Sequence, residues 1–221
     1  MIEIQNLICD YKDGDGQVVR GVTLPSFQLR TGEACAVTGP SGSGKSTLFH
    51  CLAGILTPTQ GEITIDGVKL GQLSDQERAK WRAQNLGYVF QEAKLLPFLT
   101  IEENIKLSAS LAGRNVDSQE VEKRLSQVGL SGYGSRRPEQ LSGGERQRAA
   151  FVRAMIRRPI PKLLLPDEPP ASLDAANSQR LLELLLVYQN ESGCMLLCAS
   201  HDQTVQNRFH KKLELHKEAV R

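Results

Sequence analysis

The 221-residue sequence has few aromatic side chains and no long hydrophobic run. Phe, Trp and Tyr make up 5% of it, whereas 40% is hydrophobic and 24% is charged. The longest apolar stretches, Leu184 to Tyr188 and Met195 to Ala199, are far shorter than the roughly 18 residues that a membrane span needs. This composition excludes a disordered chain, a collagen and a coiled coil, and it predicts no transmembrane segment.

A charge excess of one sign is also missing, and the first residues do not have the pattern of a leader segment. The 27 basic and 25 acidic side chains leave a net charge of +2, which argues against a nucleic-acid partner. The first residues carry an early acid, Glu3, in an alternating pattern, so we expect no secretory leader and a cytoplasmic location. The five cysteines are scattered and odd in number, which indicates reduced core thiols.

Short strand patterns alternate with helical ones along most of the chain. An antiparallel N-terminal piece is predicted first, and an almost wholly helical block is predicted from about 101 to 158. The alternation around this block predicts an α/β fold with a mostly parallel sheet, whose ligands bind at the carboxyl ends of the strands. Predicted strands are 2–7, 18–29, 34–38, 61–66, 86–90, 162–165 and 194–200, and predicted helices include 44–54, 74–85 and 175–189.

A glycine-rich segment follows the strand predicted at 34–38 and precedes a helix. The segment GPSGSGKS fits the phosphate-loop pattern G-x-x-x-x-G-K-[ST], in which backbone N–H groups and a helix N-terminus face phosphate oxygens. Lys45 would reach the β and γ phosphates, and Ser46 would bind Mg²⁺. A plain flexible turn is the alternative, and the flanking strand and helix argue against it. The predicted nucleotide-binding residues here are Gly39, Pro40, Ser41, Gly42, Ser43, Gly44, Lys45, Ser46 and Thr47.

Two adjacent acids follow the apolar strand at 162–165. A buried parallel strand would deliver Asp167 to the carboxyl edge of the sheet, where it could hold Mg²⁺ through water. Glu168, one residue further, could polarise the attacking water. An ordinary strand end would also explain two acids, but it is disfavoured beside a phosphate loop.

The segment LSGGERQR, 141–148, contains a capping box with Ser142 as N-cap and Glu145 three residues later. The box leaves Gly143 and Gly144 unexplained, because glycine costs helix stability. These glycines would expose backbone N–H groups at a helix start, where an anion can bind.

With these motifs in place, the whole chain resembles the nucleotide-binding subunits of ATP-binding cassette (ABC) transporters, in the order typical of that family. LSGGERQR resembles the family signature, GPSGSGKS the Walker A loop and LLLPDE the Walker B strand. By the same resemblance, Gln91 matches the Q-loop glutamine, 172–174 the D-loop, and His201 the H-loop histidine. Tyr11 lies where the family places an aromatic that stacks on adenine, although a tyrosine near a turn is common.

The resemblance implies a single P-loop ATPase domain with its core at about 1–91 and 160–221 and a helical subdomain at about 92–159. It implies a head-to-tail dimer in which Ser142, Gly143 and Gly144 of one subunit close over the γ-phosphate held by Lys45 of the other. Glu168, His201, Lys45 and Gln91 would be catalytic, and Ser46, Gln91 and Asp167 would hold Mg²⁺.

Transport would require membrane-spanning partner subunits, because the chain itself cannot cross a bilayer. The apolar residues Leu95, Leu96, Phe98 and Leu99 have two interpretations. They could be core of the helical lobe, which we expect for two of the four, or they could form a partly exposed groove for a cytoplasmic helix of the partner. The chain would sit peripherally on the cytoplasmic face of the membrane. The chain is most similar to the bacterial group that serves lipoprotein release, macrolide efflux, peptide resistance and cell division.

A regulatory subunit with weak hydrolysis is the alternative to a transport ATPase. Two departures from the family favour it. Pro166 replaces a small or apolar residue, and Pro170 replaces a threonine. We expect Pro166 to end regular strand pairing one residue before Asp167, because proline has no N–H for the ladder. A soluble phosphotransferase is disfavoured, since it would not explain LSGGERQR.

Overall fold

A computed structural model of the chain describes residues 1–12, 16–156, 160–168 and 175–217. The chain divides into two compact units, Met1–Arg82 with Met195–Arg221, and Ala83–Cys194. The nine strands in the described residues are β1 Ile2–Lys12, β2 Val18–Leu29, β3 Ala34–Thr38, β4 Gln60–Ile65, β5 Val68–Lys69, β6 Leu86–Val89, β7 Leu163–Pro166, β8 Met195–Ala199 and β9 Lys211–Glu214. The α-helices in the same residues are α1 Lys45–Leu52, α2 Asp75–Asn85, α3 Ile101–Leu111, α4 Ser118–Gln127, α5 Gly143–Met155, α6 Ala175–Ser192 and α7 Gln203–Gln206.

The first unit combines an antiparallel sheet with three parallel strands. The antiparallel sheet has the strand order β2-β1-β4-β5. The β3 strand lies between β8 and β9 and is parallel to both. Its buried residues, including Cys35, Ala36 and Val37, are wholly inaccessible, as a central strand with no charged residue predicts. The phosphate-loop segment therefore leaves the carboxyl end of a strand whose three central residues are fully buried.

The second unit contains the parallel pair β6–β7 together with helices α3 to α6. Leu163, Leu164 and Leu165 of β7 are fully buried. The α5 helix packs on β6 and on α3. Gly87 permits this packing, because a Cβ there would lie 2.7 Å from Leu164 Cδ1 and 2.9 Å from the Ala154 carbonyl oxygen.

Most predicted elements coincide with observed ones. The expectation that Pro166 ends regular strand pairing is wrong for the pairing of β7 with β6. Pro166 is paired with Val89 in the β6–β7 ladder. The hydrogen bond at this pair is donated by the N–H of Asp167 to the carbonyl of Val89, at 2.8 Å. Because residues of a parallel strand bond alternately to its two sides, this ladder needs no N–H from Pro166.

Two further observations bear on the sequence predictions. The β1 strand runs to Lys12, whereas the pattern predicted an end at Leu7, so Tyr11 lies in a strand. In the described part of the chain, no helix combines the length and the hydrophobicity needed to span a bilayer.

Candidate functional site

The phosphate loop connects β3 to α1 in the first unit. Gly42 and Gly44 have φ angles of +78° and +93°, which only glycine adopts readily, and Gly44 is the N-cap of α1. The buried Lys45 folds back over the loop, and its Nζ donates to the carbonyl oxygens of Gly39 at 2.9 Å and Pro40 at 3.1 Å. The loop thus holds an ammonium group beside a helix N-terminus, which is the arrangement that binds phosphate.

Backbone contact with β2 fixes the shape of this loop. The β1–β2 register shifts between Cys9 and Asp10, which leaves Gly21 of β2 as the extra residue of a β-bulge. A Cβ on Gly44 would lie 2.1 Å from the carbonyl oxygen of Gly21. A Cβ on Gly21 would in turn lie 2.7 Å from Thr47 Cγ2. Both glycines are therefore required for the antiparallel sheet to meet the loop.

Two other predicted residues of the first unit lie near this loop. Tyr11, on β1, is 43% exposed. A Cβ added to Gly21 would lie 3.0 Å from Tyr11 Cε1 and would also contact Thr47. His201 follows β8, whose last residues pair with the end of β3, and Ser200 N–H donates to the Val37 carbonyl at 3.2 Å. Both residues are thus on elements adjoining the phosphate loop.

The predicted acids belong to the second unit and differ in their surroundings. Asp167 is buried, and Tyr88 of β6 donates its hydroxyl to Asp167 Oδ2 over a long 3.4 Å. Burial, and secondarily the negative charge of Asp167, raises the pKa of Tyr88 above its usual range, so Tyr88 stays a hydrogen-bond donor. The Tyr88 ring stacks on Phe90, with ring centroids 4.0 Å apart.

Glu168 has a conformation that is unusual for its residue type. Its φ of +50° lies in the left-handed region, which non-glycine residues adopt at a cost and which is frequent at functional sites. Gln91 Nε2 donates to Glu168 Oε2 at 3.3 Å. The structure therefore brings the predicted water-activating acid together with the predicted Q-loop glutamine.

The signature segment begins α5 with the predicted capping box. Ser142 accepts from the N–H of Glu145, and Glu145 accepts from the N–H of Ser142 at 2.7 Å. Tyr133 also donates its hydroxyl to Glu145, at 2.9 Å. The hydrogen bonds from Ser142, and then that from Tyr133, hold the pKa of Glu145 below its usual value. The cap leaves room beside Gly143, where an added Cβ would meet only Arg146 Nη2 at 3.9 Å.

The phosphate loop with Tyr11 and His201 belongs to the first unit, and Gln91, Asp167, Glu168 and the signature belong to the second. The D-loop residues 172–174 and Pro170 lie outside the described residues. Sequence reasoning missed Gly21, Tyr88, Gln147 and Arg153. Gly21 had a usable signal, because an isolated glycine in a strand pattern indicates a bulge or a close backbone approach.

The residues present fit ATP and Mg²⁺. An added Cβ would clash with neighbouring atoms at Gly39 and Gly44, so both must be glycine. At Gly42 an added Cβ would meet only Lys217 Cε, at 4.0 Å. For the metal, the exposed hydroxyl of Ser46 and the buried carboxylate of Asp167 are the hard oxygen donors that Mg²⁺ prefers.

Comparison with known proteins identifies the class. The ABC transporter family profile matches residues 22–171. Two proteins named "Lipoprotein-releasing system ATP-binding protein LolD", from Legionella pneumophila strains Lens and Paris, are 40% and 39% identical over 216 residues. These alignments cover 96% of this chain and 93% of each relative. The chain therefore belongs to the ABC transporter family, as its motifs predicted.

Two solved structures extend the likeness to three dimensions. One is a dimeric post-hydrolysis state of the ATP-binding cassette MJ0796 bound to ADP and Pi, with a TM-score of 0.89 and 32% identity over 97% of this chain and 94% of that one. The other is dimeric MJ0796, described as a bacterial ABC transporter cassette, with a TM-score of 0.90 and 31% identity over 98% and 95%. The predicted P-loop α/β fold is confirmed, and the chain is an ATP-binding cassette with ATPase activity.

Proposed function

We propose that this ATPase works as a homodimer on the cytoplasmic face of the inner membrane and drives membrane-spanning subunits that release lipoproteins. The phosphate loop is the observation that carries the nucleotide-binding role, because its glycines, the buried Lys45 and α1 form a phosphate cradle. The LolD relatives, which align with 96% of the chain, support lipoprotein as the cargo class. The dimeric MJ0796 structures support the working dimer.

Each predicted site residue has a role in this proposal. Residues 39–47 would bind the phosphates, and Tyr11 would stack on adenine. Ser46, Gln91 and Asp167 would hold Mg²⁺, which would neutralise developing charge on the phosphates. Water attacks the γ-phosphorus, its proton passes to Glu168, and the bond to the β–γ bridging oxygen breaks, which gives ADP and phosphate. His201 steadies the attacking water. Ser142, Gly143 and Gly144 of the second subunit face the γ-phosphate.

The same proposal assigns the core to 1–91 with 160–221, the helical subdomain to 92–159, and partner docking to the 95–99 segment. Leu96 and Phe98 are 36% and 68% exposed, whereas Leu95 and Leu99 are half-buried. Asn104 holds this loop, because its Oδ1 accepts from the N–H of Leu96 at 2.7 Å. An apolar pair on a fixed loop suits an amphipathic helix of the membrane partner.

A regulatory subunit with weak hydrolysis is the second candidate. The observation that favours it is the hydrogen bond that Glu168 accepts from Gln91, because this bond engages one oxygen of the predicted water-activating carboxylate. Undetectable phosphate release by the wild type with its membrane partner, restored by Pro166→Ala with Pro170→Thr, would establish this reading.

Lys45→Ala tests the nucleotide site. A hydrogen bond to a charged group contributes about 1.5–3 kcal/mol, so we expect Mg-ATP affinity to fall by at least about tenfold in isothermal titration calorimetry. Lys212→Ala, an exposed lysine of the same unit, is the control and should bind normally. Unchanged affinity in Lys45→Ala would refute the phosphate-loop assignment.

Co-purification tests the partner. The chain is purified from native membranes in detergent, the co-purifying chains are identified, and phosphate release is measured with and without them. We expect membrane-spanning subunits and faster release in their presence. A chain that purifies alone, with the same turnover as in membranes, would contradict the transporter role.

A further inference from the structure

Side chains of α5 bond to the backbone on both sides of Gln91. Gln147 Nε2 donates to the Phe90 carbonyl at 2.8 Å. The Arg153 guanidinium donates to two successive carbonyls, those of Ala93 at 2.9 Å and Lys94 at 2.6 Å. All three bonds lie within the second unit, and we refer to Gln147 and Arg153 together as the α5 clamp.

The clamp is built from groups that are costly to leave unpaired. Gln147 is only 2% exposed and stands among the apolar residues on the buried face of α5. Loss of its acceptor would leave a buried amide unsatisfied. Arg153 fixes a turn that is itself strained, since Lys94 has a φ of +46° in the left-handed region.

We propose that Gln147 and Arg153 are positioning residues that set the place of Gln91 for metal binding. This inference rests on the proposed function, in which Gln91 is a Mg²⁺ ligand. Gln91 is exposed and bonds to Glu168. That bond engages its side chain, whereas the clamp holds the backbone one residue before it and again two and three residues after it.

The clamp also joins the segment around Gln91 to the helix that begins with the signature. Gln147 and Arg153 are six residues apart, or roughly 9 Å along the helix axis. They belong to the helix that begins with Gly143 and Gly144. The clamp therefore ties the backbone around Gln91 to the helix that carries the signature.

A double-mutant cycle tests whether the clamp acts through Gln91. Arg153→Met removes both guanidinium bonds and keeps much of the apolar stem. Mn²⁺ affinity of the ATP complex is measured by electron paramagnetic resonance, alongside kcat, in the wild-type and Gln91→Ala backgrounds. We expect Arg153→Met to lower Mn²⁺ affinity and kcat about fivefold or more in the wild type, and less than twofold when Gln91 is absent.

Controls separate positioning from general stability. Arg124→Met removes an arginine of α4 that donates to Gln127 of the same helix at 3.2 Å, and it should leave Mn²⁺ affinity unchanged. Gln147→Leu removes the bond at the other end and is measured in the same way, so the test stands even if Arg153→Met folds poorly. Equal losses in both backgrounds, or no loss in the wild type, would overturn the clamp.

The cycle also distinguishes the two proposals. If Gln91→Ala alone lowers Mn²⁺ affinity while Arg153→Met and Gln147→Leu do not, the clamp fails and the proposed metal site stands. If Gln91→Ala leaves Mn²⁺ affinity unchanged, the assignment of Gln91 as a metal ligand fails, and the clamp inference fails with it.

Discussion

At the scale of single residues, glycines decide the shape of the nucleotide site. The phosphate loop could be predicted from its spacing, because the G-x-x-x-x-G-K-[ST] pattern has a mechanical basis. Its support by Gly21 could not be predicted from this spacing, since the contact joins residues 23 positions apart in the sequence. The 2.1 Å approach of a Cβ on Gly44 to the Gly21 carbonyl shows why both residues lack side chains.

Gly44→Ala should therefore unfold the loop locally. Its φ is left-handed and its Cβ would overlap backbone, so we expect a loss of at least about 2 kcal/mol in unfolding free energy and no ATP binding. Gly71→Ala is the matched control, because Gly71 lies outside the left-handed region and faces open space. Its unfolding free energy should change by about 0.5 kcal/mol or less. Urea denaturation measures the unfolding free energy of both variants. Equal values would contradict the close contact of Gly44 with the Gly21 carbonyl.

Glu168 shows what sequence reasoning leaves out at this scale. Its position after β7 indicated a catalytic acid, but no sequence pattern indicates a left-handed glutamate. The conformation depends on surrounding structure, which must compensate a cost of order 1–3 kcal/mol. The hydrogen bond from Gln91 likewise depends on tertiary structure, since 77 residues separate the two.

At the scale of elements, the capping box of α5 was readable from the sequence and is confirmed. What the two glycines do beyond the cap remains a prediction. Gly143→Asp tests it. A negative aspartate in the first turn interacts favourably with the helix dipole, and the space beside Gly143 is open. The variant should fold normally.

We expect Gly143→Asp to reduce hydrolysis by about a hundredfold or more, since its carboxylate would face the phosphates held by the partner subunit. Gly143→Asn has nearly the same shape without the charge, and it should retain much more activity. Phosphate release measures both variants, and circular dichroism confirms their folding. Full activity in the aspartate variant would show that residues 141–148 are only a helix start.

The β7 strand is the element for which the sequence argument was wrong. Proline was expected to interrupt strand pairing, but the bond between β6 and β7 at Pro166 uses the N–H of Asp167. Pro166→Ala should therefore change unfolding free energy by less than about 1 kcal/mol and leave hydrolysis unaltered. A severalfold rise in phosphate release at unchanged ATP affinity would instead mean that Pro166 restrains the site.

At the scale of the whole molecule, the fold class could be predicted because several ordered motifs each require a strand end or a helix start. The α/β fold and the antiparallel N-terminal sheet are confirmed by the structure and by the likeness to MJ0796. The length of β1 and the bulge at Gly21 were not predicted, since pairing partners decide strand ends more than local pattern does.

The proposed homodimer carries the central claim: two copies of this chain would close on ATP, and Glu168 would take a proton from the water that attacks the γ-phosphorus. The isolated chain should be largely monomeric without nucleotide, because in the proposed dimer ATP would supply much of the contact. Glu168→Gln should preserve both ATP binding and the dimer, since it retains the shape of the side chain while removing its negative charge.

The most direct measurement combines sedimentation and phosphate release on Glu168→Gln with Mg-ATP. The account predicts an ATP-dependent dimer, wild-type ATP affinity, and hydrolysis slower by at least about a hundredfold. Normal turnover in this variant, or a stable dimer in dilute solution without nucleotide, would contradict it.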